Sequence, residues 1–398
     1  MHLPPRTTVV VAILVLYLGK WLTRKSQFLQ EYNIPEPVTG GVVASVVFSL
    51  LFVVFGLELV WDLRVRDILL VVFFTTIGLS SQLRTLLAGG RALALMTGLA
   101  VGFLVIQNLT GLAVISLTDL PPIVGVLGGS VSLSGGHGTA IAWAPTFAER
   151  FGVENAMEIG VACATFGLVL GGIVGGPLAK RLIERFSLES SAEEARTVGV
   201  GYETEAVAID YDAMLNTIFS VGIAVGIGIG LQYLAAGAGL QLPLFVPCLF
   251  GGILVTNIGP MILPHYHWPG GTPAMALVSD VSLGLFLAMS LMSLELWTLA
   301  DLAGPIIGLL VAQVVAVVVY ARFVVFPAMR KDYDAAVMAA GYVGLGLGAT
   351  PTAVANMTAV TERFGAAPRA FIVIPLVGAF FIDLANALVV QFFLQRLA

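Results

Sequence analysis

The chain has 398 residues, of which 58% are hydrophobic and only 11% charged, with a formal net charge of −5. A soluble domain carries roughly a quarter charged residues, so lipid, and not water, must solvate most of this surface. No run of like charges offers nucleic acid a footing, and two cysteines and four histidines without ligand spacing point to no transition-metal site.

Near the N-terminus, the apolar run Thr7 to Gly19 has only Arg6 in front of it, while Lys20, Arg24 and Lys25 follow. A secretory signal wants the opposite order, so the run reads as a retained first helix with its N-terminus outside. Further apolar segments, each near the roughly 20 residues a crossing needs, fall at 38–58, 67–86, 91–116 and 154–178. A second set follows at 213–236, 244–263, 276–300, 303–326 and 368–394. Cys163 and Cys248 lie in apolar stretches as small buried hydrophobes. Two other stretches, near 121–148 and 335–362, are dense in Gly, Ser, Thr and Pro. Continuous helix is a poor use of such residues, since Gly costs about 1 and Pro about 3 kcal/mol against Ala. Each reads as a re-entrant hairpin, two short helices meeting at an irregular tip that protein or water must cover.

The second set copies the first. Asp67, Ser80, Leu83, Thr85 and Leu86 recur as Asp280, Ser293, Leu296, Thr298 and Leu299. Farther on, Glu149-Arg150-Phe151-Gly152 recurs as Glu362-Arg363-Phe364-Gly365, and every pair stands 213 positions apart (Asp67 against Asp280). Five crossings plus a returning hairpin are an odd number, so the halves should lie upside down relative to each other. That topology puts 14 Lys and Arg inside, including Lys180, Arg181, Arg185, Arg330, Lys331 and Arg369, and five outside, the bias the positive-inside rule asks for. The expected architecture is an all-α polytopic membrane protein of two inverted five-helix repeats, each with one re-entrant hairpin. Residues 1–183 form the first repeat, 184–212 a polar cytoplasmic linker and 213–398 the second repeat, with both termini outside. Duplication of this kind is the signature of secondary transporters, not enzymes, and puts the site where the repeats meet.

Chemistry should concentrate at the hairpin tips. Ser134-Gly135-Gly136-His137-Gly138-Thr139 and the second-tip Thr350 and Thr352 bring hydroxyls, a histidine and close backbone approach to helix ends that can bind carboxylates. His137 could take a proton, donate to a ligand or tie the hairpin to a neighbour. Gly171, Gly172, Gly175 and Gly176 read as packing residues. Asp383 is an acid inside an apolar span, with Asn386 three residues on and on the same helix face. It suits sodium coordination, an ion pair with a substrate ammonium, or a bond to the facing hairpin's backbone; Asn356 is a similar candidate. Asp280 and Glu295 bracket their span and read as interfacial, and His265 and His267 as loop residues. With no lysine or arginine expected at mid-membrane, an anionic substrate would need a co-bound cation.

Several long segments carry a resemblance to the glutamate:sodium symporter (ESS) family of bacterial inner membranes. They are Ile34-Pro35-Glu36-Pro37-Val38, Leu133 to Thr139, Ala162 to Gly172, Gly348 to Met357 and Val377 to Leu388. The resemblance implies sodium-driven L-glutamate uptake, with Na+ as coupling ion, membrane lipid as surroundings, a homodimer, and a transport domain moving against a scaffold. The alternative expectation is proton coupling through His137 and Asp383, with a related dicarboxylate or amino acid as substrate.

Overall fold

The structure is a computed structural model that describes residues 2–31, 34–57, 59–82, 90–190, 209–237, 242–264, 266, 268–270, 272–294 and 302–397. The chain divides into two compact units, residues 1–83 with 207–300 and residues 84–206 with 301–398. Each unit therefore draws on both sequence halves.

The first unit holds α1 (Pro5–Lys25), α2 (Gln27–Glu31), α3 (Glu36–Phe55) and α4 (Arg64–Ser80) from the first half. A two-residue parallel pairing joins β1 (His2–Leu3) to β2 (Val60–Trp61). The second half supplies further helices at Tyr211–Gly237, Phe245–Ile262 and Pro273–Leu291. Lipid gives apolar helices no hydrophobic reason to associate, so small residues and close backbone contact do the work. A Cβ built on Gly40 would stand 2.1 Å from Val15 O, and one on Gly19 would stand 1.9 Å from Glu36 O. Thus α1 and α3 touch backbone to backbone. Thr256 Oγ1 donates to Leu79 O at 2.6 Å and Asn257 Nδ2 to Ser81 O at 2.9 Å, holding α4 against Phe245–Ile262.

The second unit begins with α5 (Gly90–Ile115). The short α6 (Val124–Val126) then runs into a π turn at Leu127–Val131, and α7 (Gly136–Phe151) and α8 (Ala156–Phe186) follow. With the three helices of the first unit numbered α9, α10 and α11 in turn, the rest continues from α12 (Ala303–Tyr320) through a π turn (Ala321–Val325) to α13 (Phe326–Ala328). Next come α14 (Tyr333–Leu347), α15 (Thr350–Phe364) and α16 (Pro368–Leu376), then a π turn at Val377–Phe381 and α17 (Ile382–Leu397).

Every expected crossing has a helix, and eight helices are long and apolar enough to span a membrane among the described residues. The chain is thus a multi-pass membrane protein. The duplication survives folding: Gly90–Ile115 and its counterpart Ala303–Ala328 keep the same register, 213 positions apart at both ends. The expected span 368–394 is not one helix. Pro375 has no N–H to give and its ring crowds the carbonyl four residues back, and the ladder opens into the π turn two residues later. Asp280 does not bracket its span either. Thr272 caps α11, accepting from Met275 N, so the helix starts earlier and Asp280 lies about two turns inside it, exposed. Glu295, His265, His267 and most of the 184–212 linker lie outside the described residues.

Gly40→Ala should lower stability by about 1–3 kcal/mol, the usual cost of overpacking, whereas Gly98→Ala, with nothing within 4 Å of its added Cβ, should be neutral. Thermal unfolding in detergent would check this; equal melting temperatures would remove the α1–α3 backbone contact as a source of stability.

Candidate functional site

Both glycine-rich stretches are broken helices of the second unit. In the first, Gly129 (φ −95°, ψ −123°) leaves helical geometry inside the π turn, and Gly136 at the start of α7 is left-handed at φ +68°. In the second, α14 stops at Gly348 (φ −150°, ψ −107°), Ala349 is extended, and α15 starts at Thr350 with Pro351 in its first turn. Helices α14 and α15 pack against each other as a hairpin. Neither α7 nor α15 has a side-chain cap at its N-terminus. No described side chain accepts from their first N–H groups (Pro351 of α15 has none), and each helix start carries its partial positive charge.

Breaking a helix frees carbonyls and amides that must find other partners. At the first tip, both backbone groups of Ser130 are held by flanking helices. Asn108 Oδ1 of α5 accepts from Ser130 N, and Asn386 Nδ2 of α17 donates to Ser130 O, each at 2.9 Å and buried. At the second tip, the Gly346 carbonyl accepts from Gln107 Nε2 at 2.7 Å. Ser134 Oγ lies 2.7 Å from Gln107 Oε1 and 3.3 Å from Gly346 O, so its single proton goes to the nearer oxygen. Gln313 Nε2 in turn donates to Gln107 O at 2.8 Å. One glutamine of α5 thus joins the two tips. A Cβ on Gly136 would come within 3.9 Å of Gly348 O, so the tips meet there too.

The remaining expected site residues divide. His137 is buried at the start of α7, its Nε2 2.9 Å from Thr165 Oγ1. Thr165 Oγ1 also donates to Val161 O at 2.8 Å. Both contacts hold at once only when His137 carries its proton on Nε2, so that nitrogen is committed to α8 and Nδ1 is what the ring has left. The equivalent place in the second half pairs Thr350 with Gly378, where an added Cβ would stand 2.4 Å from Thr350 Oγ1. A large–small pair in one half is matched by a smaller pair in the other. Gly135 and Gly138 are half-buried; Thr139 and Thr352 are buried. Thr352 Oγ1 has no hydrogen-bond partner among the described residues, and neither do the buried Ser130 Oγ, Asn108 Nδ2 and Asn386 Oδ1.

Asn356 is held by other helices. Its Nδ2 donates to Gly171 O at 2.9 Å and Ala340 O at 3.3 Å, stapling α15 to α8 and α14. Asn386 is drawn instead to the first hairpin, and Asp383, half-buried at the start of α17, is one turn before it. No described residue donates a hydrogen bond or an ion pair to the Asp383 carboxylate. Gln107, Asn108 and Gln313, which carry the hydrogen bonding, were not among the expected site residues. The signal for the first two is the adjacent Gln-Asn pair deep inside a 26-residue helix whose one charged residue, Arg91, stands at its start; Gln313 is the lone carboxamide of Ala303–Tyr320.

A many-spanning helical membrane protein whose ligand-grade backbone groups sit at paired broken helices has the build of a secondary transporter. The sequence comparisons agree. The profile of the sodium/glutamate symporter family matches residues 1–366. A sodium/glutamate symporter of Escherichia coli (strain K12) is 45% identical over 396 residues, covering 99% of this chain and 98% of the relative. One from Haemophilus influenzae is 42% identical over 384 residues, 96% and 94% of the two chains. The chain belongs to the sodium/glutamate symporter family.

Gly136→Ala forces a side chain onto a left-handed backbone, whereas Gly176→Ala meets nothing within 4 Å. Uptake should fall steeply in the first variant and stay near wild type in the second; equal rates would place both glycines in packing alone. Gln107→Leu should cost more stability than Gln107→Glu. The leucine removes the amide donor to the Gly346 carbonyl and leaves it only the longer 3.3 Å contact from Ser134 Oγ, a loss of about 1–3 kcal/mol, whereas a glutamate kept protonated by burial still offers one donor and one acceptor. Thermal unfolding with matched expression gives the comparison.

Proposed function

We infer that the protein is a sodium-coupled glutamate symporter, and we propose that its second unit binds both the amino acid and the ion and carries them by alternating access. The observation that carries this reading is the meeting of two uncapped helix N-termini, α7 and α15, at a junction tied by Gln107. Open N–H groups at a helix start favour an anion by position and by dipole. Carboxylates of the amino acid would be received there by the backbone of Gly135, Gly136 and Gly138, with Ser134, His137 and Thr139 on one tip and Thr350 and Thr352 on the other. No lysine or arginine lies in either tip, so the substrate's negative charge needs a companion.

Sodium supplies it. The oxygens available to it are the carboxylate of Asp383, to which no described residue donates, and Oδ1 of Asn386, which has no hydrogen-bond partner among the described residues. Asn356 contributes from the second hairpin. Each ligand lowers the cost of holding the other in a site shielded from water, so the two bind with mutual, reciprocal favour. In this reading the glycine-rich stretches are re-entrant, the two halves have opposite topology, both termini face outside, and 184–212 is a cytoplasmic tether. The working form is a homodimer in a bacterial inner membrane.

Purified protein in proteoliposomes should accumulate radiolabelled L-glutamate when an inward sodium gradient is imposed and not when choline replaces sodium. Accumulation driven by a proton gradient alone would overturn sodium coupling. Asp383→Asn should reduce sodium-driven uptake to background at normal expression. Near-normal uptake at low sodium would take Asp383 out of the ion site.

A further inference from the structure

The second unit has a cavity that none of the residues assigned above to glutamate or sodium lines. It lies among the ends of three helices, has a volume of about 390 Å3, and is lined by Arg91, Ala92, Leu95, Ala328, Met329, Arg330 and Arg369. Three guanidinium groups share it, and no acidic residue lines it. Two neighbouring basic cavities differ in this respect. Both include Glu184, which Lys180 approaches at 3.7 Å, so each carries its own counter-charge.

The arginines come from separate elements; Arg91 and Arg330 are exposed, and Arg369 is tied down. Arg91 is the second residue of α5. Arg330 follows α13 at φ +87°, with Lys331 behind it at φ +57°. Two consecutive left-handed residues with side chains are uncommon and mark a backbone that its surroundings dictate. Arg369 Nη2 donates to Met329 O at 3.1 Å and pairs with Asp332 Oδ2 at 3.3 Å. Its Nε is buried with no hydrogen-bond partner among the described residues. Asp332 is thus engaged with Arg369, while no described acid pairs with Arg91 or Arg330. Arg91 and Arg330 are thus like charges that no described acid balances, beside an Arg369 already paired with Asp332, and they repel until an anion joins them.

The cavity's position selects the anion. Arg91 opens a membrane-spanning helix, and Ala328 closes another. Leu95 stands one turn beyond Arg91 and is 38% exposed. The site therefore offers fixed positive charge at the height where spans end, continued by an apolar wall down the helix. Free phosphate has no use for such a wall, whereas a phosphodiester headgroup with its acyl chain uses both. We propose that Arg91, Arg330 and Arg369 form a binding site for the phosphate headgroup of an anionic phospholipid, whose acyl chain lies along α5 over Leu95.

The test is native mass spectrometry of the full-length protein released from nanodiscs made of equimolar phosphatidylglycerol and phosphatidylcholine. Wild-type protein should retain phosphatidylglycerol in clear preference. Arg91→Gln/Arg330→Gln should lose about thirtyfold of that preference, roughly fivefold for each arginine. Arg91→Lys/Arg330→Lys should keep most of it. Equal retention of both lipids by wild type, or undiminished preference in the glutamine variant, would overturn the site. Displacement of the bound lipid by millimolar inorganic phosphate would overturn the lipid assignment and make this a free-phosphate site. Should the glutamine variant melt early in detergent, the lysine variant and the wild-type competition decide the matter.

Discussion

Inside a bilayer, a broken helix survives only where other groups answer the backbone amides and carbonyls that the break releases. The second unit depends on that constraint. Carboxamide side chains meet it: Asn108 and Asn386 on Ser130, and Gln107 on Gly346, with Gln313 behind. A carboxamide both donates and accepts, so one residue can serve two tips, as Gln107 does with its nitrogen on one and its oxygen on the other. It also carries no charge. The network's strength does not change with pH, and its members can be buried at a fraction of what an ion would cost. Charge is left for the ligands to bring.

What is spared from this network is as telling as what joins it. Among the described residues, the amide nitrogen of Asn386 is occupied but its oxygen is not, and the hydroxyls of Ser130 and Thr352 are buried without partners. Native proteins rarely tolerate such atoms without cause. Here an added Cβ on Gly135 would stand 2.7 Å from Asn386 Nδ2 and one on Gly348 3.4 Å from Thr352 Oγ1, so these two residues lie at the tips, and Asp383 is one turn from Asn386. Polar capacity held in reserve at one spot, next to backbone that is already satisfied, is the arrangement expected of a site that must fill and empty repeatedly.

The sequence made much of this legible. A constant 213-residue offset from Asp67 to Gly365 foretold matched elements, and α5 recurs residue for residue in register as Ala303–Ala328. Gly129, Gly136 and Gly348 lie in stretches too rich in glycine for continuous helix, and all three mark the breaks. The opening near Pro375 could have been read from the proline itself. Harder to see were the partners of the freed backbone. Gln107 and Asn108 stand out as polar residues in α5, but one-dimensional spacing cannot tell which carbonyl 239 residues away a glutamine will meet. Nor can it separate Asn356, which staples three helices, from Asn386, which holds a tip. Both are asparagines after glycine-rich or apolar runs, and only packing distinguishes them.

The partition of the chain carries a consequence for its origin. Residues 1–83 build one unit only together with 207–300, and 84–206 build the other only with 301–398. Neither sequence half contains a complete unit. An ancestor of half the length could have made these units only by pairing with a second copy of itself, each copy lending three segments to either side. Fusion of two such copies would turn that encounter into an intramolecular one, at a local concentration few free partners reach. It also released the two copies from identity. From then on the counterparts His137 and Thr350, and Thr165 and Gly378, could come to differ in size while His137 kept its contact with Thr165 and Thr350 its contact with Gly378. A symmetric pair could never have made one tip different from the other.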